Sequence, residues 1–383
     1  MTTPESTIEV RPVRLPADWR RFHALPVRLY AGDPNWVRPL DLQLRQQWAP
    51  RNPFFAHAEA QAFIALRGDR AVGRISAQID RLNDDRGRPD LGWFGQLEAE
   101  DDIEVFRALE RAAGGWLAER GRTRMQGPFD LSINQQSGLL VDGFDSPPMM
   151  MMGHARPYYA DRLVELGFES VAELLAYQGD LEFRDPRGMR RVLGRLGDRL
   201  RLERVERGRL MERAGLMREL FNAAWADNWG FVPMTEAEFD HTVQDMKLLI
   251  RPGYVQIAWL DDEPAAFMVT LPDLNELVRD LGGRLFPFGA ARLLWRIWRR
   301  RSTRARVPLM GVAPKYQRSI TGAALSYAMV ADTRDHLKAD GVEWTEQSWI
   351  LEQNRGMRSL IESIDMHVAK RYRVFERSIG SSE

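Results

Sequence analysis

The stretch Met310 to Leu325, MGVAPKYQRSITGAAL, has the residue types and spacing of a device that holds an anion. An apolar run closing at Val312 is followed by Gln317, Arg318, Ser319, Ile320, Thr321, Gly322 and Ala323, and then by the helix-like ALSYAMVADTRDHL. A tight turn at that place exposes consecutive backbone N–H groups at a helix start, where the dipole favours negative charge. A phosphate or diphosphate is the natural guest. An ordinary strand-to-helix turn has the same outline, so the remainder of the sequence must decide.

Other chemistries find little support. There is no Cys, which excludes thiolate catalysis, disulfides and Cys-ligated zinc. His23, His57, His154, His241, His336 and His367 include no pair at metal-ligand spacing on one helix face, so no metal is expected. Neither G-x-S-x-G nor a Walker loop occurs. Catalysis is left to carboxylates, hydroxyls and backbone donors. The 54 basic and 54 acidic residues cancel, so no net field draws the chain to nucleic acid. The opening MTTPESTIEVRP has no apolar export core, and no apolar run reaches the membrane-spanning length of about eighteen residues. A cytoplasmic location is expected, in solution or peripheral on the inner face of the cell membrane.

The elements that must position the turn can be read in order. Residues 61–80 form a hairpin about Gly68-Asp69, and 254–271 a second one turning at Asp261-Asp262. IEVFRALERAAGGWLAERG is an amphipathic helix ending at Gly121. A linker-like segment, 135–156, holds four consecutive methionines, Met149 to Met152, which either line an adaptable apolar pocket or fill a core gap. Helix 216–229 leads to a capping box of Thr235 and Glu238. After the anion turn come a strand, VEWTEQSWI, a helix from Asn354 and a closing strand, RYRVFE.

The halves correspond. A shift of 220 places Leu117 on Leu337, Gly121 on Gly341, Phe129 on Trp349 and Asn134 on Asn354; beyond the Met-rich insertion a shift of 198 places Leu163 on Ile361 and Tyr177 on Phe375. This is a duplicated α/β unit. Carried upstream, the 220 register sets Glu98, Glu100 and Asp102 against Arg318, Ile320 and Gly322. Carboxylates there would repel a diphosphate, which assigns the anion site to the second half.

In its spacing the turn resembles the acyl-CoA loop of the GNAT (GCN5-related N-acyltransferase) superfamily, Q/R-x-x-G-x-G/A after a strand. Gln317 and Gly322 match, whereas Ile320 stands where the family usually has Gly. DPNWVRPL, NPFF, VGRISAQID, GPFDLSIN, GLLVDGFDSPPMMM, FNAAWADNWGFVP, LPDLNE, GRLFPFG and EQSWILEQN resemble a narrower tandem GNAT-like group that includes bacterial ceramide synthases. The resemblance implies an α/β (α+β) fold of two tandem GNAT-like domains, each a mixed, mostly antiparallel sheet flanked by helices. Residues 1–180 would be a degenerate domain and 181–383 the domain with the acyl donor site. It implies N-acyl transfer from acyl-CoA, or acyl carrier protein, to a long-chain amine such as sphinganine. A non-catalytic acyl-CoA or lipid binder, and a tRNA-dependent aminoacyl transferase of the same fold, are the alternatives.

In that pattern the backbone N–H near Val312 polarises the thioester, the turn from Gln317 through Arg318, Ser319, Thr321 and Gly322 to Ala323 grips the diphosphate, and Asn354 opens a later motif. Glu346 and Ser348 share one face of a strand with Trp344, and Glu352 precedes Asn354. Glu346 and Glu352 are the candidate bases for the amine, and Tyr159, beside Tyr158, is the candidate donor to the leaving group. Asn134, Met151, Asn228, Trp229 and Ser348 are candidates for the acceptor pocket. LFPFGAARLLWRIWRRRSTRARVPL combines Arg292, Arg296, Arg299 and Arg300 with Trp and Leu at helical spacing, which suits an anionic membrane surface, a helix packed on its own domain, or an acidic carrier protein.

Overall fold

The computed structural model describes residues 7–380; Met1 to Ser6, the start of the stretch read as lacking an export core, lie outside it. The first repeat runs β1 (Ile8–Pro12), α1 (Pro16–Leu29), α2 (Asp41–Gln47), β2 (Ala58–Arg67), β3 (Arg70–Asp80), α3 (Arg81–Asp84), β4 (Leu91–Ala99), α4 (Ile103–Ala118), β5 (Arg124–Gly127), β6 (Leu139–Asp142), α5 (Tyr159–Glu165) and β7 (Glu169–Asp180). The second runs α6 (Met189–Leu196), β8 (Leu200–Arg204), α7 (Leu210–Trp225), α8 (Glu236–Met246), β9 (Val255–Leu260), β10 (Glu263–Pro272), α9 (Leu274–Val278), α10 (Gly289–Trp298), β11 (Arg304–Val312), α11 (Ile320–Ala339), β12 (Trp344–Leu351), α12 (Arg355–Glu362) and β13 (His367–Ser378).

Local chemistry explains the boundaries. The β9–β10 hairpin turns on Asp261 and Asp262, both at positive φ, where a short polar side chain tolerates the left-handed conformation. Thr235 and Glu238 make the reciprocal capping box that starts α8. Helices α4 and α11 stop at Gly121 and Gly341, with φ of +77° and +82°, a conformation that glycine reaches without a Cβ penalty.

Two compact units emerge, residues 1–173 with 371–383, and residues 174–370. The division differs from a cut after residue 180 because the closing strand of each repeat is exchanged. In the first unit the strand order is β1-β2-β3-β4-β5, followed by the end of β13, whose Phe375–Ser378 pair with Arg124–Gly127; β6 lies on β13. In the second it is β7-β12-β11-β10-β9-β8, with Leu174–Asp180 of β7 pairing with β12. Each sheet is antiparallel except for one parallel pair, β4 with β5 and β11 with β12. The second unit's core gathers Ala266, Met268, Leu325, Met329 and Ile361 between β10, α11 and α12.

The repeat is visible element by element. Strands β7 and β13 have 12 residues each and stand at the 198 offset. The 220 register holds from Leu117 and Leu337, both buried on α4 and α11, onward but fails at the starts of these helices. Only Glu100 and Asp101 separate the end of β4 from the α4 N-cap Asp102, whereas Ala313 to Arg318 separate the end of β11 from the α11 N-cap Ser319. The acidic run therefore does not stand opposite the anion turn. The first unit lacks those extra turn residues altogether.

Candidate active site

The second unit's turn is built by the side chains of Gln317 and Ser319 and by the bare backbone of Gly322. Gln317 donates from Nε2 to the carbonyls of Val312 (3.0 Å) and Ala224 (2.8 Å), fixing the turn to β11 and to the end of α7. Ser319 caps α11, its Oγ accepting from Gly322 N–H (3.1 Å) and donating to the Tyr316 carbonyl (2.6 Å). A Cβ on Gly322 would lie 2.2 Å from the Tyr316 oxygen, so only glycine lets the turn close. Arg318 adopts φ +56° at the bend. Among the described residues the amides of Arg318, Ser319, Ile320 and Thr321 have no hydrogen-bond acceptor. They sit at the positive end of a 20-residue helix. Ile320 is 63 % exposed, so its side chain lies on the rim of this cradle rather than inside the turn.

Beside the cradle the sheet opens. Strands β11 and β12 pair from Arg304–Val307 to Trp344–Gln347 and then part. The gap beyond is lined by Met310, Tyr327, Val330, Gln347, Met357, Leu360, Ile361 and Ile364, an almost wholly apolar set from β11, α11, β12 and α12. Its free volume, about 10 Å³, holds no more than one water. The seam is thus closed as it stands, and a hydrocarbon chain would enter only by parting its apolar walls, which offer such a chain no polar group to desolvate. Trp225 braces its edge, donating from Nε1 to the Met310 carbonyl at 3.2 Å.

A buried ion group stands where the strands part. Arg306 and Glu346 lie opposite each other in the β11–β12 register, 1 % and 0 % exposed. Ser348 Oγ donates to Glu346 Oε1 (2.7 Å) and accepts from Arg306 Nε (2.9 Å), and Gln178 Nε2 donates to Glu346 Oε2 (3.1 Å). The Arg306 guanidinium stacks over Trp349, 4.8 Å from the ring centre. Arg306 escapes a reading of the turn and its helix; the signal for it was a second arginine, after Arg304, continuing into the apolar part of the strand, directly across from Glu346.

The other predicted residues divide between the units. Glu352 is exposed on the turn after β12, and its carbonyl accepts from Arg358. Asn354 caps α12, accepting from Met357 N–H at 3.2 Å, and so orients a helix that lines the slot. Asn228 and Trp229 form the turn after α7, with Phe231 N–H donating to the Asn228 carbonyl. Tyr159, Asn134 and Met151 belong to the first unit. Three of the four consecutive methionines, Met149, Met150 and Met152, are buried there, and Met151 takes φ +61°.

The first unit's equivalents are occupied by its own residues. Asp102 caps α4 through Glu104 N–H (2.9 Å) and pairs with Arg67 (2.6 Å), which holds its carboxyl below the usual range and places a carboxylate at the helix N-terminus. The parting of β4 and β5 is stitched by Phe129, whose N–H donates to the Phe94 carbonyl at 2.8 Å. Glu98, read from the sequence only as part of an acidic run, accepts from Tyr30 (2.9 Å) and Tyr159 (2.8 Å) inside the unit. Burial pushes its carboxyl up to about 7, with Arg74 and the two tyrosines opposing.

A sheet that parts beside a capped N–H cradle, present in one repeat and closed in the other, defines a tandem GNAT fold. Solved structures bear this out: a tandem GNAT protein from the clavulanic acid biosynthesis pathway superposes with a TM-score of 0.57 over 98 % of this chain and 100 % of its own, at 14 % identity. A GCN5-related N-acetyltransferase from Sphaerobacter thermophilus gives 0.55 over 100 % and 98 %, also at 14 % identity. No family model matches the sequence. Among curated proteins the chain is 44 % identical over 376 residues to the bacterial ceramide synthase of Caulobacter vibrioides, covering 97 % of this chain and 98 % of that one. It is 41 % identical over 365 residues to Protein YghO of Escherichia coli, covering 94 % and 93 %. The chain belongs to the tandem GNAT-like acyltransferase family that includes the bacterial ceramide synthase.

Proposed function

We propose that this protein transfers a fatty acyl group from acyl-CoA to the amine of a sphingoid base. The observation that carries the reading is the set of unbonded amides from Arg318 to Thr321 at the start of α11, the helix whose Tyr327 and Val330 line the apolar seam where β11 and β12 part; 44 % identity over 97 % of the chain to a protein named a ceramide synthase supports the acceptor class. In this reading the amides of Arg318 to Thr321 hold the donor's diphosphate and the acyl chain enters between β11 and β12. The amine gives up a proton to Glu352 and its lone pair attacks the thioester carbonyl, the C–N bond forms as the C–S bond breaks, and the departing thiolate takes up a proton from water. Catalysis rests on positioning and on backbone donors aimed at the developing oxyanion.

Glu346, enclosed by Arg306, Ser348 and Gln178, acts as a positioning residue that fixes the two strands where they part. Glu352, the exposed carboxylate of the pair, is the one this reading assigns as acceptor of the amine proton; its exposure supports the assignment. The test is mass-spectrometric assay of purified protein with fatty acyl-CoA and sphinganine, alongside Gly322→Glu and Glu352→Gln. N-Acyl product that falls at least a hundredfold in Gly322→Glu supports the reading, and absence of product with any long-chain amine, from either CoA or carrier-protein donors, defeats it.

A further inference from the structure

Helix α10 has no buried residue at all. Over residues 286–298 it and its approach expose Phe286 (88 %), Phe288 (76 %), Leu294 (55 %), Trp295 (49 %) and Trp298 (74 %), and among the described residues these four rings are the exposed aromatic side chains. An apolar set this concentrated on a folded unit marks an interaction surface.

The charges carried by the helix and its flanking segments are of one sign. From Leu281 to Ala331 the sequence contains no Asp or Glu. Arg292 and Arg296 are held by Asp280, and Arg300 by Asp340. Arg284, Arg299 and Arg301 have no carboxylate partner among the described residues; Arg299 and Arg301 lie over the rings of Trp298 and Trp295. Guanidinium groups interleaved with indole rings on one exposed helix complement a surface with negative headgroups above hydrocarbon, where tryptophan places its ring at the boundary.

The helix is also firmly set. Arg296 donates to the Leu277 carbonyl (2.6 Å), Arg251 to the Ile297 carbonyl (3.0 Å), and Arg251 pairs with Asp340 (3.2 Å). Asp340 ends α11, whereas the cradle is at its start. A helix of 20 residues is about 30 Å long. The apolar helix and the cradle thus occupy opposite ends of α11.

We propose that α10, with Phe286 and Phe288, is an in-plane anchor that docks the protein on an anionic lipid bilayer, holding the cradle about 30 Å from the helix and open to a water-soluble donor. No described helix is long and apolar enough to cross a membrane, so the anchor lies in the interface. Docking of this kind is independent of which amine is acylated.

The experiment is flotation of the full chain with vesicles of phosphatidylcholine alone or mixed with phosphatidylglycerol, together with tryptophan emission. The wild type is expected to float with the mixed vesicles and show a blue shift. Each arginine near such a surface is worth roughly a fivefold change in affinity, so Arg299→Glu with Arg301→Glu should weaken binding at least tenfold. Phe288→Ser with Trp298→Ser should weaken it comparably, without moving the unfolding temperature, because both side chains are exposed. The proposal is overturned if wild type ignores anionic vesicles, or if both double variants bind them as wild type does. It is equally overturned if these residues instead mediate self-association or capture of an acidic carrier protein with no vesicle binding.

Discussion

Replacing Gly322 by alanine perturbs the cradle with a single methyl group. That methyl would sit 2.2 Å from the Tyr316 oxygen and 3.1 Å from its carbon, against an ordinary contact of at least about 3.4 Å. The turn must therefore move by about 1 Å. The same carbonyl accepts from Ser319 Oγ, which accepts from Gly322 N–H, so the shift pulls the α11 cap apart. Loss of such a cap costs about 1 kcal/mol of stability. Misplacing a substrate by about 1 Å costs roughly a hundredfold in turnover. Isothermal titration with acyl-CoA, single-turnover kinetics and thermal unfolding would separate the two effects. Gly356→Ala provides the control, since a Cβ there meets nothing closer than Asn354 Oδ1 at 4.0 Å; it should be neutral or stabilise by about 0.5 kcal/mol. Donor affinity and turnover in Gly322→Ala equal to wild type would refute the reasoning.

Removing Arg306 leaves Glu346 enclosed without its counter-charge. Arg306→Ala should cost about 3–5 kcal/mol in chemical denaturation, and Arg306→Met with Glu346→Met considerably less; equal losses would show that the pair is not coupled. Glu98 has its carboxyl raised from 4.5 to about 7, so its folded-state contribution is complete below about pH 4.5 and disappears as pH rises through 7. Glu98→Gln, which keeps an acceptor for Tyr30 and Tyr159, should flatten the fall in unfolding temperature between pH 5 and 8, a range across which the wild type loses up to about 3 kcal/mol. Val330→Leu adds one methylene to the wall of the seam between α11 and α12, about what its free volume holds; it should raise KM for a long-chain donor several-fold while leaving acetyl-CoA binding within twofold, and equal effects on both would argue that the chain lies elsewhere.

Much of the fold was legible because its signals are local. The Asp261-Asp262 turn, the Thr235–Glu238 box, the glycine stops at 121 and 341 and the 198 offset all depend on residues close in sequence, and all appear in the structure. The exchanged closing strands were not legible, because β7 and β13 have the same length and pattern and nothing local says which sheet each completes. The acidic run was misplaced for a related reason. A gapless register cannot reveal that one strand-to-helix turn is shorter, and Glu98, counted there among the carboxylates that would repel a diphosphate, is buried on β4. At the site, the cradle was read from spacing alone, yet the chemistry of Glu346 depends on Arg306, a residue 40 positions away that only the β11–β12 register brings opposite.

The central claim is that the second unit's cradle and slot hold the acyl donor. Photo-crosslinking of the full chain with a fatty acyl-CoA carrying a diazirine near the chain terminus, followed by peptide mapping, tests it most directly. Label concentrated on Met310, Val330 and the Met357–Ile364 segment, and competed by unmodified acyl-CoA, is the predicted result. Competable label confined to residues 7–173 would contradict it.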